Sequence, residues 1–547
     1  MRYCPLWIND KMKQIIAVIP AKSGSQRLPA KNMAEALGMP LLGYTIGYAK
    51  ESRLVNKIYV STDSGEIAEF AGKKGVSVIM RPAKLCGEAP IIDVYRHALL
   101  NMDERDIGYI AGLQPDHPDR TISLDEIIKY AQKNDLDDLI SVDAGGAKNG
   151  SFRILKADAL KEKQVSIKAG TLADNATNIH SIADLRMAEA ALRFKERPLS
   201  IKIKNKFIAK DKPAFIIAEA ACNHMCDMNR AKEMIDEAEA AGADAVKFQT
   251  YKAEKLVAKN APTYWNYGTT KSQYDYYKNL DKFGIKEYAD LFDYAKDKEL
   301  AVFSSPFDID SASMLNELGM SIFKIASCLI PDLKLIRHIA RFQKPVILSV
   351  GGSEIDEIKE AVGAIYAEGN FSLILLACTL SYPCKYEDAH LLGIKTLTGL
   401  FPQAIIGYSD HTEPEKNMVI PSLAVAVGAK VIEKHFTLDR TMSGSGHSFS
   451  VDPKDLKNMI ENIRIAEKAL GEAGLGVRER EQKTRENARM SIVAKNRIDK
   501  GQVISEANLT VLRPGTGILP KFIDKIVGKK AARDISENEQ IQWNDIQ

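Results

Sequence analysis

Apolar residues in this chain fall into short runs separated by stretches of helical spacing, and the runs form two trains. The first contains Ile15 to Pro20, Lys57 to Asp63, Val76 to Met80, Tyr109 to Leu113 and Leu139 to Val142, with Ser64 to Lys74 between two of them reading as a helix. Continuous apolar runs of this length bounded by polar turns predict buried strands. Their alternation with helix predicts an α/β doubly wound domain with its crevice at the strand ends. The second train starts at Pro213 with Phe215 to Glu219, Ala245 to Gln249, Ala301 to Ser304 and Ser321 to Ile325. It continues with Pro345 to Ser349, Leu373 to Ala377, Ala404 to Tyr408 and Lys430 to Ile432, with Asn229 to Ala241, Ser311 to Leu318, Ile355 to Tyr366 and Val419 to Gly428 as helices between runs. Eight such units predict a (β/α)8 TIM barrel. Thr250 to Ile285 is predicted as a long loop over its rim. Glu196 to Lys212 alternates Ile with Lys and reads as a hairpin joining the two trains. Beyond a helix at Lys457 to Ala473 and a charged segment at Arg478 to Arg489, Met490 to Ala494 and Leu509 to Leu512 predict strands of a last domain too small to do without support.

Polar residues in the second train recur in or just past the strand C-termini: Glu219, Lys247, Gln249, Ser304, Ser305, Lys324, Ser327, Ser349, Tyr382, Asp410, His411, Glu433 and His435. That rim is where a barrel carries its chemistry. A crossover between the last two runs puts His411 and His435 on the same rim. The pair suits Mn²⁺, Fe²⁺ or Zn²⁺ with open positions for substrate; the alternative is two ordinary polar residues at strand ends. Lys247 and Lys324 directed inward would be costly without an anion. With Ser327 and Ser349 they read as a phosphate or carboxylate receptor, or else they pair with Glu219 and Glu433. In the first train, the loop Ala21 to Asn32 carries Lys22, Arg27 and Lys31 and can wrap a phosphate, or be a charged surface turn. It is not a Walker A loop.

At 547 residues the chain is too long for one core. A net charge of +3 gives no sign of nucleic acid or a lipid surface as main partner. Seven cysteines, an odd number with no CxxC pair, suit a reducing cytoplasm. No apolar run is long enough for a membrane span.

Ile19 to Asn32, Val60 to Asp63, Arg81-Pro82 and Leu113-Gln114-Pro115 resemble the motifs of the acylneuraminate cytidylyltransferases, which join CTP to a nonulosonic acid. That resemblance implies that Lys22, Ser23, Gly24, Arg27, Lys31, Asn32 and Asp63 meet the nucleotide, with Mg²⁺ in attendance. The chain departs from the family by carrying Lys22 for an arginine, Asn178-Ile179-His180 for Asp-Ile-Asp, and a shortened segment between Val142 and Ser151. An active cytidylyltransferase and a degenerate regulatory or scaffolding domain both stay open.

Ile217-Ala218-Glu219 with Asn223-His224, Gly242 to Gln249, Gly407 to Thr412 and Glu433 to Asp439 resemble the sialic acid synthases, which condense phosphoenolpyruvate with N-acetylmannosamine or a related amino sugar. The resemblance implies Mn²⁺, or Mg²⁺ or Co²⁺, on His411 and His435 with Glu219 nearby. It implies phosphoenolpyruvate on Lys247, Ser305, Lys324, Ser327 and Ser349, and catalytic roles for Glu219, Lys247, Gln249, Tyr382, Asp410 and Glu433. Ala377, Leu380 and Gly446 stand where that family has polar residues, which points to a more apolar amino sugar or to another phosphoenolpyruvate-dependent aldol-type synthase. The end of the chain resembles the antifreeze-like (SAF) domain of those synthases, which implies a domain-swapped homodimer with Arg513 reaching the sugar. The expected division is 13–197, 198–475, a linker at 476–489, and 490–547.

Overall fold

The computed structural model describes residues 13–25, 28–87, 89–143, 145–162, 168–195, 199–263, 272–444 and 446–547. They fall into two units, residues 1–470 and 471–547.

The first unit opens with a sheet of seven strands: β1 (Gln14–Ala21), β2 (Lys57–Thr62), β3 (Ser77–Met80), β4 (Ile107–Leu113), β5 (Asp138–Val142), β6 (Lys148–Lys156) and β7 (Ala169–Ala173). Their order is β3-β2-β1-β4-β6-β5-β7. Of the five strands expected, β1 to β4 pair in parallel, while the fifth, β5, is separated from them by β6, which runs antiparallel to both β4 and β5. Apolar β1 is buried on both faces, with Ile15, Ala17 and Ile19 in one core cluster and Ile16 and Val18 in another. Helix α1 (Ile182–Phe194) follows, started by a capping box between Ser181 and Asp184.

The hairpin is present as β8 (Ser200–Ile203) and β9 (Lys206–Ala209). Its Ile201, Ile203 and Ile208 enter the barrel core, and Lys204 Nζ donates to the Ala295 and Lys298 carbonyls at 2.7 and 2.9 Å. The barrel strands are β10 (Phe215–Ala221), β11 (Ala245–Thr250), β12 (Ala301–Pro306), β13 (Phe323–Ile325), β14 (Val346–Ser349), β15 (Leu373–Ala377), β16 (Ile405–Asp410) and β17 (Val431–His435). All pair in parallel in the order β12-β11-β10-β17-β16-β15-β14-β13. β12 and β13 end the ladder, and among the described residues no strand pairing joins them. Helix α2 (Ile355–Ala367) follows β14, helix α3 (Val419–Val427) joins β16 to β17, and helix α4 (Pro453–Leu470) closes the unit.

The excursion after β11 is not an unstructured loop: it holds helices at Ala253–Leu256 and Gln273–Leu280. Ser272 begins the second by accepting from the Asp275 N–H at 3.1 Å. In the second unit, β18 (Ser491–Ala494) pairs antiparallel with β19 (Leu509–Leu512). Ile492, Ile498, Ile504, Ile518, Ile535 and Ile541 give this unit a core of its own. The charged stretch before it carries a short helix, Gln482–Ala488. Among the described residues no helix is long and apolar enough to cross a membrane.

Candidate active site

The inward-facing residues at the C-terminal ends of the barrel strands converge on one small cavity of ≈ 50 Å³. Glu219, Lys247, Gln249, Ser305, Lys324, Ser327, Ser349, Tyr382, His411, Glu433 and His435 all line it, joined by Ser409 and Cys378. Strand alternation selects them: Lys247 with Gln249, and Glu433 with His435, stand two residues apart on one face.

That same alternation removes one expected residue. Asp410 does not line the cavity; a single step along β16 turns its side chain to the other face. There it accepts from Lys434 Nζ at 2.8 Å, with neither side chain exposed, and from the Thr412 N–H at 3.0 Å. Ser304 is likewise spent, paired with Thr250 Oγ1 at 2.6 Å.

The two imidazoles lie with ring centres 5.5 Å apart. The Thr379 carbonyl accepts from His411 Nδ1 at 2.7 Å, and since a carbonyl only accepts, this fixes the proton on Nδ1 and leaves Nε2 as a lone pair. Burial pushes His411 down to about 4, and burial together with the neighbouring His411 holds His435 well below the usual histidine range. Both rings are therefore neutral at pH 7, the state in which imidazole ligates a metal. The buried His435 Nδ1 has no hydrogen-bond partner among the described residues. Among the described residues no group of three or more His, Cys, Asp or Glu forms a metal cluster. His411 and His435 are the residues that would hold a divalent ion here, with its remaining ligands coming from water and substrate. Tyr382 packs 4.3 Å from His411, and Phe449, on the loop after β17, packs 5.1 Å from His435.

Beside the rings sits a cluster of four charged groups. Lys247 Nζ is 2.6 Å from Glu219 Oε2 and 3.6 Å from Glu433 Oε2, and Lys324 Nζ is 3.6 Å from Glu433 Oε1. Pairing of the lysines with these carboxylates, the alternative raised by the sequence, is thus present. It does not use up every donor. Burial holds Glu433 back from ionising, but Lys247 and Lys324 outweigh it and bring Glu433 to about 2. Burial raises Glu219 to about 7 despite Lys247, with Glu433 adding to the rise. Burial lowers Lys324 and would lower Lys247, but Glu219 and Glu433 reverse the direction for Lys247. The closest contact in the cluster is Lys247 with Glu219, while burial draws Glu219 and Lys324 each toward the neutral form. Gln249 Nε2 donates to Glu219 Oε1 at 3.0 Å, Lys247 to Ser305 Oγ at 3.2 Å and Ser409 Oγ to Glu433 at 2.9 Å. Ser327 Oγ accepts from the Gly351 N–H at 3.0 Å. Among the described residues Ser349 Oγ, though buried, has no hydrogen-bond partner, so its hydroxyl is a donor open to an acceptor.

A side chain at Gly446 has no room: a Cβ there would lie 2.4 Å from Asn223 Oδ1. Asn223 is held in place by the Phe436 carbonyl and Ser450 Oγ, at 2.9 and 3.2 Å from its Nδ2. Leu380 is half-exposed at 44%.

In the first domain, Lys22, Ser23, Gly24, Lys31, Asn32 and Asp63 line a cavity of ≈ 690 Å³, together with Arg81, Asp116 and His180. Arg27 lies outside the described residues. Asp63 accepts from the Ser23 N–H at 2.7 Å, and Asn32 Nδ2 donates to the Lys22 carbonyl at 2.8 Å. Lys31 is paired with Asp116 at 2.5 Å. Asp184 does not replace the missing carboxylates, since its Oδ2 accepts from His180 N, Ser181 N and Ser181 Oγ at 2.9, 2.8 and 2.9 Å as the cap of α1. Asn178 Nδ2 donates to the Asn149 carbonyl at 3.1 Å. Asp63 and Asp116 are the carboxylates that line this cavity, and among the described residues they belong to no group of three or more His, Cys, Asp or Glu that could hold the expected Mg²⁺. In the second unit Arg513 is exposed at the end of β19.

Residues 234–474 match the NeuB family. The chain is 39% identical to the N,N'-diacetyllegionaminic acid synthase of Campylobacter jejuni over 338 residues, 60% of this chain and 99% of that protein. The chain belongs to the NeuB family. It is 36% identical to the pseudaminic acid synthase of Helicobacter pylori, covering 61% of this chain and 98% of that protein. The crystal structure of a putative spore coat polysaccharide biosynthesis protein E from Chromobacterium violaceum superposes with a TM-score of 0.51 at 26% identity, covering 61% of this chain and 100% of that one. Flanking the NeuB barrel, residues 16–163 match a cytidylyltransferase and residues 489–547 a SAF domain. The chain is therefore an acid synthase of the transferase class with a cytidylyltransferase-like domain in front of it.

Proposed function

We propose that the barrel condenses phosphoenolpyruvate with an N-acetylmannosamine-like amino sugar to give a nonulosonic acid and phosphate. The observation that carries this is a pair of neutral, buried imidazoles 5.5 Å apart beside two lysines and an unpartnered serine hydroxyl. His411 and His435 would hold a divalent ion such as Mn²⁺, Mg²⁺ or Co²⁺, which when bound supplies Lewis-acid polarisation of the sugar aldehyde. Lys324, Ser349, Ser327, Ser305 and Lys247 bind the phosphate and carboxylate of the enol. Fixed donors of this kind need no reorganisation as charge moves. The enol carbon forms a bond to the aldehyde carbon, water adds to the carbon bearing the phosphate, and phosphate leaves. Glu219, brought to about 7 by burial, can hold or release a proton at neutral pH and so serve the aldehyde oxygen or the water. Gln249 fixes its other oxygen, and Tyr382 and Phe449 shield the imidazoles from water. The missing side chain at Gly446, where Asn223 leaves no room for one, and the apolar Ala377 and Leu380 favour a modified, less polar amino sugar. A homodimer in a cytoplasmic setting belongs to this reading and is checked by sedimentation and fractionation.

The test is phosphate release from phosphoenolpyruvate with Mn²⁺ and a panel of amino sugars, repeated with chelator and with His411→Ala. Release that depends on both metal and sugar, and is lost in the variant, supports the reading. No release across the panel rejects it. A second reading adds CTP-dependent activation of the product in the first domain, favoured by the cations lining its cavity. Pyrophosphate release from CTP and a nonulosonic acid would establish that step.

A further inference from the structure

Helix α1 belongs to two domains at once. Its Leu185, Ala188 and Leu192 pack with Leu28, Ala36 and Ile179 of the first domain. Its Met187, Ala190 and Phe194 pack into the barrel core. Against barrel helix α2 the approach is close, since a Cβ on Gly363 would lie 2.5 Å from the Ala183 Cβ. Such contact leaves no slack to absorb a shift of either helix. The Arg193 guanidinium stacks 4.9 Å from the centre of the Phe371 ring just beyond α2.

Both sides of this contact lead to a ligand cavity. In the first domain, His180 lines the cavity immediately before the Ser181 cap of α1. The Ile179 N–H donates to the Asp116 carbonyl at 3.1 Å, and the Ile179 carbonyl accepts from Lys31 Nζ at 3.0 Å. In the barrel, α2 follows β14, and the turn between them is tied to the site by the Gly351 N–H on Ser327 Oγ. Lys31 thus holds two partners, Asp116 and the Ile179 carbonyl, that a phosphate would replace.

We propose that a nucleoside phosphate entering the first domain draws Lys31 off these partners. The resulting shift of residues 179–181 passes along α1 to α2 and the turn after β14, changing the barrel's affinity for its phosphorylated substrate. The exchange of partners at Lys31 is the differential contact such a shift requires. The identity of the barrel substrate rests on the reading above, but the transmission does not.

Coupling between sites is reciprocal, so the full chain is tested from both ends. Hydrogen exchange with and without CTP, and with and without CMP, should change protection in the first domain and also in residues 182–194, 350–354 and 355–367. Saturating phosphoenolpyruvate should shift the Kd for CTP at least about fivefold, the low end of ordinary coupling. Gly363→Ala, which wedges α1 from α2, should retain CTP binding and bring that shift below about twofold. Arg193→Ala serves if the first variant fails to fold. Binding of neither nucleotide, or protection changes confined to residues before 181, would overturn the proposal. Transmission seen by exchange without any phosphate release would uphold it while rejecting the synthase reading.

Discussion

At the scale of single residues, the site is a set of polar side chains whose partners decide their use. Ser349 Oγ has no hydrogen-bond partner among the described residues, so Ser349→Ala removes no hydrogen bond of the described fold. Its expected effect is a KM for phosphoenolpyruvate raised about tenfold, equivalent to about 1.5 kcal/mol for a lost hydrogen bond to an anion. The KM for the sugar and the thermal midpoint should stay put; steady-state kinetics and calorimetry check both halves. Lys434 is the opposite case. It lies 2.8 Å from Asp410 with no exposure, and Lys434→Met strands a buried carboxylate at a cost of about 3–5 kcal/mol. Urea denaturation should show that loss directly. An unchanged midpoint would mean that the pair is dispensable.

At the scale of elements, backbone contact limits what a strand can carry. A Cβ on Gly407 in β16 would lie 2.5 Å from the Val431 carbonyl of β17, so Gly407→Ala has to spread two adjacent barrel strands. The expected cost is about 1–3 kcal/mol, read as a lower denaturation midpoint. The apolar runs made the barrel strands legible, since a strand buried on both faces leaves a continuous signature such as Leu373 to Ala377. β6 leaves no continuous apolar run, because Lys148, Asn149 and Gly150 interrupt it before Phe152 and Ile154 reach the core. The site was legible as far as the rim, but not which face each residue takes. Period-two counting along β16 and β17 would have separated Ser409 and Glu433 from Asp410 and Lys434. The Thr379 carbonyl on His411 and the Phe449 ring beside His435 left no trace in the sequence, because both arrive from loops folded back from elsewhere.

At the scale of the molecule, α1 divides its apolar residues between the first domain and the barrel. The two should therefore lose structure together. Exchange of amides along a denaturant series should give coincident midpoints for residues 13–195 and for the barrel; an earlier midpoint for the first domain would show that it folds as a separate body. The barrel has one further property at this scale. β12 and β13 end its ladder with no pairing between them, and they carry Ser305 and Lys324 of the cavity wall. A ring laced all the way round must break bonds to widen; this one has a single unlaced seam. Between β12 and β13 no ladder bond would resist such widening, and Ser305 and Lys324 stand on either side of that gap.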